Sequence, residues 1–227
     1  EVVHAKGYGR ANSERENLVT TAFHVASITK QFTAAAVLQL VEQGIVSLEG
    51  SVNEFLPQEY RSSKWASVNI HHLLTHSSGI PDYAVTRDYY EVVKGFCMGN
   101  TVHGMVKEAM AKDLEFKPGS NFSYSNIGYT LLGFVIENQT QTPYDKYLKV
   151  NIFDPMGMSS SKIHVIGHVS TIEEAEGYRW SKEQNVHVPD DVVSLPVTAP
   201  DGGLVTTLTD FVKWTGIYMG MEQTILD

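Results

Sequence analysis

The chain is 227 residues long, 42% hydrophobic and 19% charged, with a formal net charge of −9. This is the composition of a globular protein, long enough to bury a core as one large domain or two small ones. The acidic balance argues against nucleic acid or anionic lipid as a partner. No apolar run approaches the ~20 residues of a membrane-crossing helix, and Cys97, the single cysteine, excludes an internal disulfide.

Residues 1 to 9 and 22 to 26 read as strands joined by a polar hairpin from Arg10 to Asn17. Residues 28 to 43 contain no Gly or Pro, are rich in alanine, and stop at Gly44. They predict a central, buried helix with glycine at its C′ position. Residues 45 to 69 read as loops and short turns, broken by Gly50 and Pro57, and residues 70 to 76 as a short helix before Ser77-Ser78-Gly79. Helical periodicity returns near 101 to 112, 126 to 139 and 143 to 152. From about residue 160 the pattern turns to strands and loops. Gly202-Gly203 is a strong break, and residues 208 to 220 form a last helix opened by Thr207 or Thr209. Strands at both ends with helices between predict an α+β (mixed) fold, an antiparallel sheet carrying an inserted, mainly helical region.

Ser27 and Lys30 stand three apart at the head of the predicted buried helix and so share a face. Ser27 reads as an N-cap, and Lys30 falls where a capping box carries Glu or Gln. A cation in the first turn opposes the helix dipole, and local rules broken in this way concentrate at functional sites. A buried pair of this kind is a nucleophile beside an amine base. On these residues alone, a plain cap with a solvated lysine accounts for the sequence equally well. Ser-x-x-Lys occurs again at Ser159 and Lys162, there in a predicted turn after Asp154-Pro155-Met156-Gly157.

The only Tyr-x-Asn is Tyr124-Ser125-Asn126, which follows the turn at Pro118-Gly119. A phenol and a carboxamide two apart on extended backbone face the same side and can wall a cleft. The phenol can shuttle a proton, and the amide can bond a substrate carbonyl or hold a lysine. Taken alone, Asn126 reads as a helix cap and Tyr124 as a half-buried aromatic. Cys97 reads as a small buried hydrophobe. The nine histidines include two His-x3-His spacings, His72 with His76 and His164 with His168, but a single cysteine supplies neither with the Cys-x2-Cys pair of a zinc motif, so no metal site is expected. Glu173, Glu174, Glu176, Asp190 and Asp191 read as a solvated loop face, and Tyr83, Tyr89 and Tyr90 as aromatic packing or pocket lining.

In order along the chain, five segments resemble the serine β-lactamase and penicillin-binding protein superfamily, closest to the class C β-lactamases and the related D-alanyl-D-alanine carboxypeptidases and esterases. They are Phe23 to Lys30, Leu73 to Asp82, Tyr124 to Tyr129, Ile152 to Met158, and Gly202 to Val205. The resemblance implies one β-lactamase/transpeptidase-like domain over 1–227, with a sheet region at about 1–26 and 160–227 and a helical region at about 27–159. It implies a serine hydrolase that needs no cofactor and acts on a β-lactam, a D-Ala-D-Ala peptide or a small ester. Ser27 would form the acyl-enzyme, Lys30 would help take its proton, Tyr124 would protonate the leaving group and later activate water, and Asn126 would bind substrate or hold the lysine. The Ser27 backbone N–H would donate to the oxyanion. His76 to Pro81 would shape the edge of the cleft, with His76 bonded to backbone. A non-catalytic or slowly acylating penicillin-binding sensor is the alternative reading.

The family's third motif, Lys-Thr-Gly or His-x-Gly beyond the Gly-Gly segment, does not occur after Gly203. The expectation is that the C-terminal part of the fold lies outside these 227 residues, that a second chain completes the sheet, or that the member is degenerate. Relatives working on cell-wall peptides imply an extracytoplasmic location.

Overall fold

The structure, a computed structural model of the chain, describes residues 2–82, 102–164, 174–189 and 199–218. Its strands are β1 (Ala22–His24), β2 (Lys162–Ile163), β3 (Tyr178–Ser181), β4 (Val186–Pro189) and β5 (Leu204–Thr207). Its α-helices are α1 (Thr29–Glu42), α2 (Val52–Phe55), α3 (Ile70–Leu74), α4 (Val102–Ala111), α5 (Asn126–Thr140), α6 (Tyr144–Leu148), α7 (Ala199–Gly202) and α8 (Leu208–Tyr218). Mixed helix and antiparallel sheet is therefore the architecture, with α1 to α6 between the first strand and the rest. Cys97, Tyr83, Tyr89, Tyr90, Glu173, Asp190 and Asp191 lie outside the described residues. Among the described residues, no helix is long and apolar enough to cross a membrane.

The main sheet has the order β1-β5-β2, both pairings antiparallel, with His24 opposite Val205 and Lys162 opposite the same Val205 from the other side. All four residues of β5 are buried, as a strand paired on both edges requires. Strands β3 and β4 form a separate hairpin whose turn includes Asn185 in the left-handed region, φ 52°, a conformation asparagine tolerates. The strand expected over residues 1 to 9 does not form among the described residues 2 to 9. Val2 and Val3 are 70% and 92% exposed, and Gly7 and Gly9 interrupt any run that could bury a face. Only the tight turn beyond it forms, with Asn17 N–H donating to Gly9 O and Asn12 Oδ1 accepting from Glu14 and Arg15 N–H.

Helix α1 ends as its sequence predicts. Gly44 takes φ 70°, Ile45 N–H reaches back to Leu40 O and Gly44 N–H to Val41 O, the two bonds of a Schellman motif. Phe32, Ala36, Val37 and Leu40 are buried on its inner side. Phe32 stacks on Trp214 of α8 with ring centroids 4.0 Å apart and meets Phe153 edge-on. Burying a ring of this size contributes ~1.5–3 kcal/mol. Helix α5 crosses the same core through Ile127, Leu131, Leu132, Val135 and Ile136. At Gly133 it comes so close to α7 that an added Cβ would stand 2.7 Å from Pro200 Cβ and nearer still to its Cγ.

Candidate active site

The strand β1 and helix α1 meet at a strained corner. Ala26 adopts φ 45°, a left-handed conformation that costs a non-glycine residue on the order of 1–3 kcal/mol. The chain then makes a 3-10 turn over Ala26–Ile28 before α1 begins at Thr29. Ser27 is thus not the N-cap that its sequence suggests: it sits inside the turn, exposed, with its hydroxyl available to Lys30. The corner is held instead by Thr29, whose Oγ1 donates to Ala26 O at 2.6 Å and accepts Leu204 N–H at 2.9 Å.

Lys30 is only 6% exposed, and its ammonium has three acceptors. Nζ donates to Ser27 Oγ at 3.2 Å, to Asn126 Oδ1 at 2.9 Å and to the Asp201 carbonyl at 2.8 Å. An ammonium has three hydrogens, so this environment satisfies it completely, as burial of a charge requires. Lys30 Nζ also lies 4.9 Å from the Tyr124 ring centroid and 5.6 Å from that of Tyr129. The structure therefore gathers Ser27, Lys30, Tyr124 and Asn126 around one nitrogen, although they come from segments almost a hundred residues apart. The second Ser-x-x-Lys is not part of this group: Lys162 lies on β2 and pairs with Glu174 at 2.8 Å.

Each partner is fixed from behind. Ser125, not Asn126, caps α5, accepting Gly128 N–H at 3.0 Å, and Asn126 is the first helical residue. Asn126 loses the cap role because its amide oxygen is taken by Lys30 and its backbone N–H by the buried Asp82 carboxylate at 2.5 Å. His76, itself left-handed at φ 55°, grips the segment around Tyr124 three ways. Its carbonyl accepts Ser123 N–H at 2.9 Å, its Nδ1 accepts Ser125 N–H at 3.1 Å, and its ring stacks on Tyr124 at 4.5 Å. The accepted N–H leaves the proton of the neutral ring on Nε2. Burial first, and the Lys30 ammonium second, hold His76 below the usual imidazole pKa. The Tyr129 hydroxyl donates to Leu74 O at 3.0 Å, and burial, with Tyr124 adding to it, pushes its pKa up to about 12.

The Asp201 carbonyl is placed by a second threonine. Thr33 Oγ1 donates to Pro200 O at 2.6 Å, so the Tyr144 hydroxyl, also 2.6 Å away, must be the donor to Thr33. Burial pushes Tyr144 far above the usual phenol pKa, which keeps it a donor. Asp82, Asp201, Thr29 and Thr33 were not picked out from the sequence as site residues. The threonines left a faint signal, two hydroxyls one turn apart among the apolar residues of α1. A backbone acceptor such as Asp201 O leaves none.

Residues 1–226 match the Beta-lactamase family model, and the chain belongs to that family. It is 28% identical over 226 residues to "Penicillin-binding protein 4*" of Bacillus subtilis, covering 93% of this chain and 48% of the relative. Among solved structures it resembles the octameric penicillin-binding protein homologue from Pyrococcus abyssi, with 35% identity and a TM-score of 0.82 over all of this chain and 52% of the other. It also resembles the D-amino acid amidase of Ochrobactrum anthropi, with 26% identity and a TM-score of 0.77 over 96% of this chain and 61% of the other. The chain thus spans less than half the length of the curated relative and about half to two thirds of these structures.

Proposed function

We propose that the chain carries the nucleophile half of a serine hydrolase that forms an acyl-enzyme at Ser27. The observation behind this reading is the valence of Lys30. Two of its three partners, Asn126 Oδ1 and Asp201 O, can only accept hydrogen bonds, whereas Ser27 Oγ can also donate. A neutral Lys30 amine has two hydrogens and one lone pair. The two carbonyl oxygens take the hydrogens, so the lone pair faces the serine. The same contacts that satisfy the ammonium thus aim the base at Ser27.

In this mechanism Ser27 Oγ bonds to the carbonyl carbon of the substrate while its proton passes to Lys30 Nζ. The carbonyl electron pair moves to oxygen, and the oxyanion accepts a hydrogen bond from the Ser27 backbone N–H. As the tetrahedral intermediate collapses, the C–N or C–O bond breaks and Tyr124 protonates the leaving group. Tyr124 then takes a proton from the water that attacks the acyl-enzyme, and Ser27 regains its own from Lys30. The substrate is a β-lactam, a D-Ala-D-Ala peptide or another small amide or ester, and the location extracytoplasmic. The relatives named as penicillin-binding proteins support a second reading, in which acylation is followed by slow release or none.

Intact mass after incubation with a β-lactam, with Ser27→Ala alongside, tests both. An adduct of the drug's mass that is absent in the variant is expected. Its decay favours turnover, and its persistence the binding role. An adduct unchanged in Ser27→Ala overturns the assignment. So does a chain that forms no adduct and shows no Ser27-dependent cleavage of amides of D-amino acids or of small esters.

A further inference from the structure

We propose that His24, His164 and Glu174 form a Zn2+ site on the sheet, a grouping that the residue spacing hides because the three come from separate segments. One ligand atom from each lies within 4.8 Å of the others. His24 Nε2 stands 2.8 Å from Glu174 Oε2, and the two imidazole rings have centroids 5.1 Å apart. Two imidazoles and a carboxylate, with a fourth position left to water, are a common zinc set. Ligand atoms about 2.0–2.2 Å from a tetrahedral metal are roughly 3.3–3.5 Å from each other. The widest pair must close by up to about 1.5 Å, and His24 Nε2 and Glu174 Oε2, now 2.8 Å apart, must part by about half an ångström to admit the ion.

The backbone holds all three in place. His24 ends β1, whose Ala22 bridges Glu174 and accepts Ala175 N–H at 2.9 Å. His164 follows β2 directly and its N–H donates to Gly203 O at 2.8 Å. The side chains of His24 and Glu174 are 20% and 16% exposed, enough for an ion to enter and little enough to hold it. Glu174, read from sequence as part of a solvated face, is instead tied down at both oxygens. Lys162 Nζ sits 2.8 Å from Oε1, while Oε2 faces His24. The carboxylate can therefore ligate through Oε2 with Lys162 orienting it, as outer-shell groups do at metal sites. The ammonium also opposes a dication, which limits the affinity.

The test uses the full 227-residue chain, stripped with chelator and titrated with Zn2+ by calorimetry and with Co2+ by visible absorption. One zinc per chain, the intense bands of four-coordinate cobalt, and a loss of at least ~10-fold in affinity in His24→Ala and in His164→Ala are expected. His187→Ala, on the exposed β4, should bind as the parent does. Near-UV circular dichroism of each apo variant checks its fold. If either fails to fold, the parent's stoichiometry and cobalt spectrum decide. Failure to take up one zinc, the weak bands of six-coordinate cobalt, or affinity unchanged in folded His24→Ala or His164→Ala would overturn the site. Because no readout uses acylation, failure here leaves the Ser27 assignment untouched, and the reverse.

Discussion

Gly133→Ala places one methyl group where α5 touches α7. The new Cβ would stand 2.7 Å from Pro200 Cβ, about 0.7 Å inside the 3.4 Å of ordinary contact, and closer still to Cγ. A proline ring cannot swing away, so the strain passes to the backbone. There the Pro200 carbonyl takes Thr33, and the next carbonyl, Asp201, takes Lys30. Overpacking of this kind costs ~1–3 kcal/mol, and alanine returns about 1 kcal/mol of helix propensity. We expect a net loss of between zero and about 2 kcal/mol in urea unfolding, and a deficit of about 1–3 kcal/mol against an alanine placed in the same helix without the clash. We also expect slower acylation of Ser27, because the Lys30–Asp201 bond must lengthen or Lys30 must move. Gly128→Ala in the same helix is the control. Its Cβ meets nothing nearer than Ser125 Oγ at 3.4 Å, so stability should hold or rise. If Gly133→Ala is as stable as Gly128→Ala and acylates at the parent rate, the contact does not transmit to the site and the reasoning fails.

Thr33→Val leaves the Pro200 carbonyl without the Thr33 hydroxyl and Tyr144 without its acceptor, at a cost of ~1–3 kcal/mol. Adding Tyr144→Phe should recover part of that loss in a double-mutant cycle, and strict additivity would contradict the shared network. His76 has a folded pKa below its ordinary 6.5, so the unfolded chain binds the extra proton first. Its contribution is complete above about pH 6.5 and is lost as the pH falls through the depressed folded value. Urea unfolding of His76→Asn, which keeps an acceptor and tolerates the left-handed backbone, should therefore lose less stability between pH 7.5 and pH 5 than the parent. An equal loss would remove His76 from the pH dependence. Asn126→Ala deletes one of the three Lys30 acceptors, and adduct formation in the mass assay should slow by about tenfold or more, the equivalent of a charged hydrogen bond. Unchanged kinetics would mean the amide is not part of the base.

What could be read from the sequence was what side-chain type and spacing encode. Helix α1 announces itself by its apolar, alanine-rich run and by Gly44. Ser27 with Lys30 and Tyr124 with Asn126 each carry a spacing that the fold turns into proximity. The cap of α5 was missed by one residue because Ser125 and Asn126 are both cap formers. Only the distant Lys30 and Asp82 decide between them, by claiming Asn126. Ser27 looked like a cap for a related reason: the left-handed Ala26 bends the chain where sequence shows an ordinary alanine. The strand over residues 1 to 9 failed because local β-propensity without a face to bury does not make a strand. Glu174 looked solvated because its partners, His24 and Lys162, are far off in sequence.

The partners of Lys30 lie 3, 96 and 171 residues along the chain. No local stretch can assemble that environment, and loops that long close late in folding. An amine buried before Asn126 and Asp201 arrive would have neither its acceptors nor its direction. Reactivity at Ser27 would thus be a clock for the final docking event. A covalent probe added at intervals after dilution from denaturant would label only chains whose three segments have met, whatever helix content spectroscopy had already recorded.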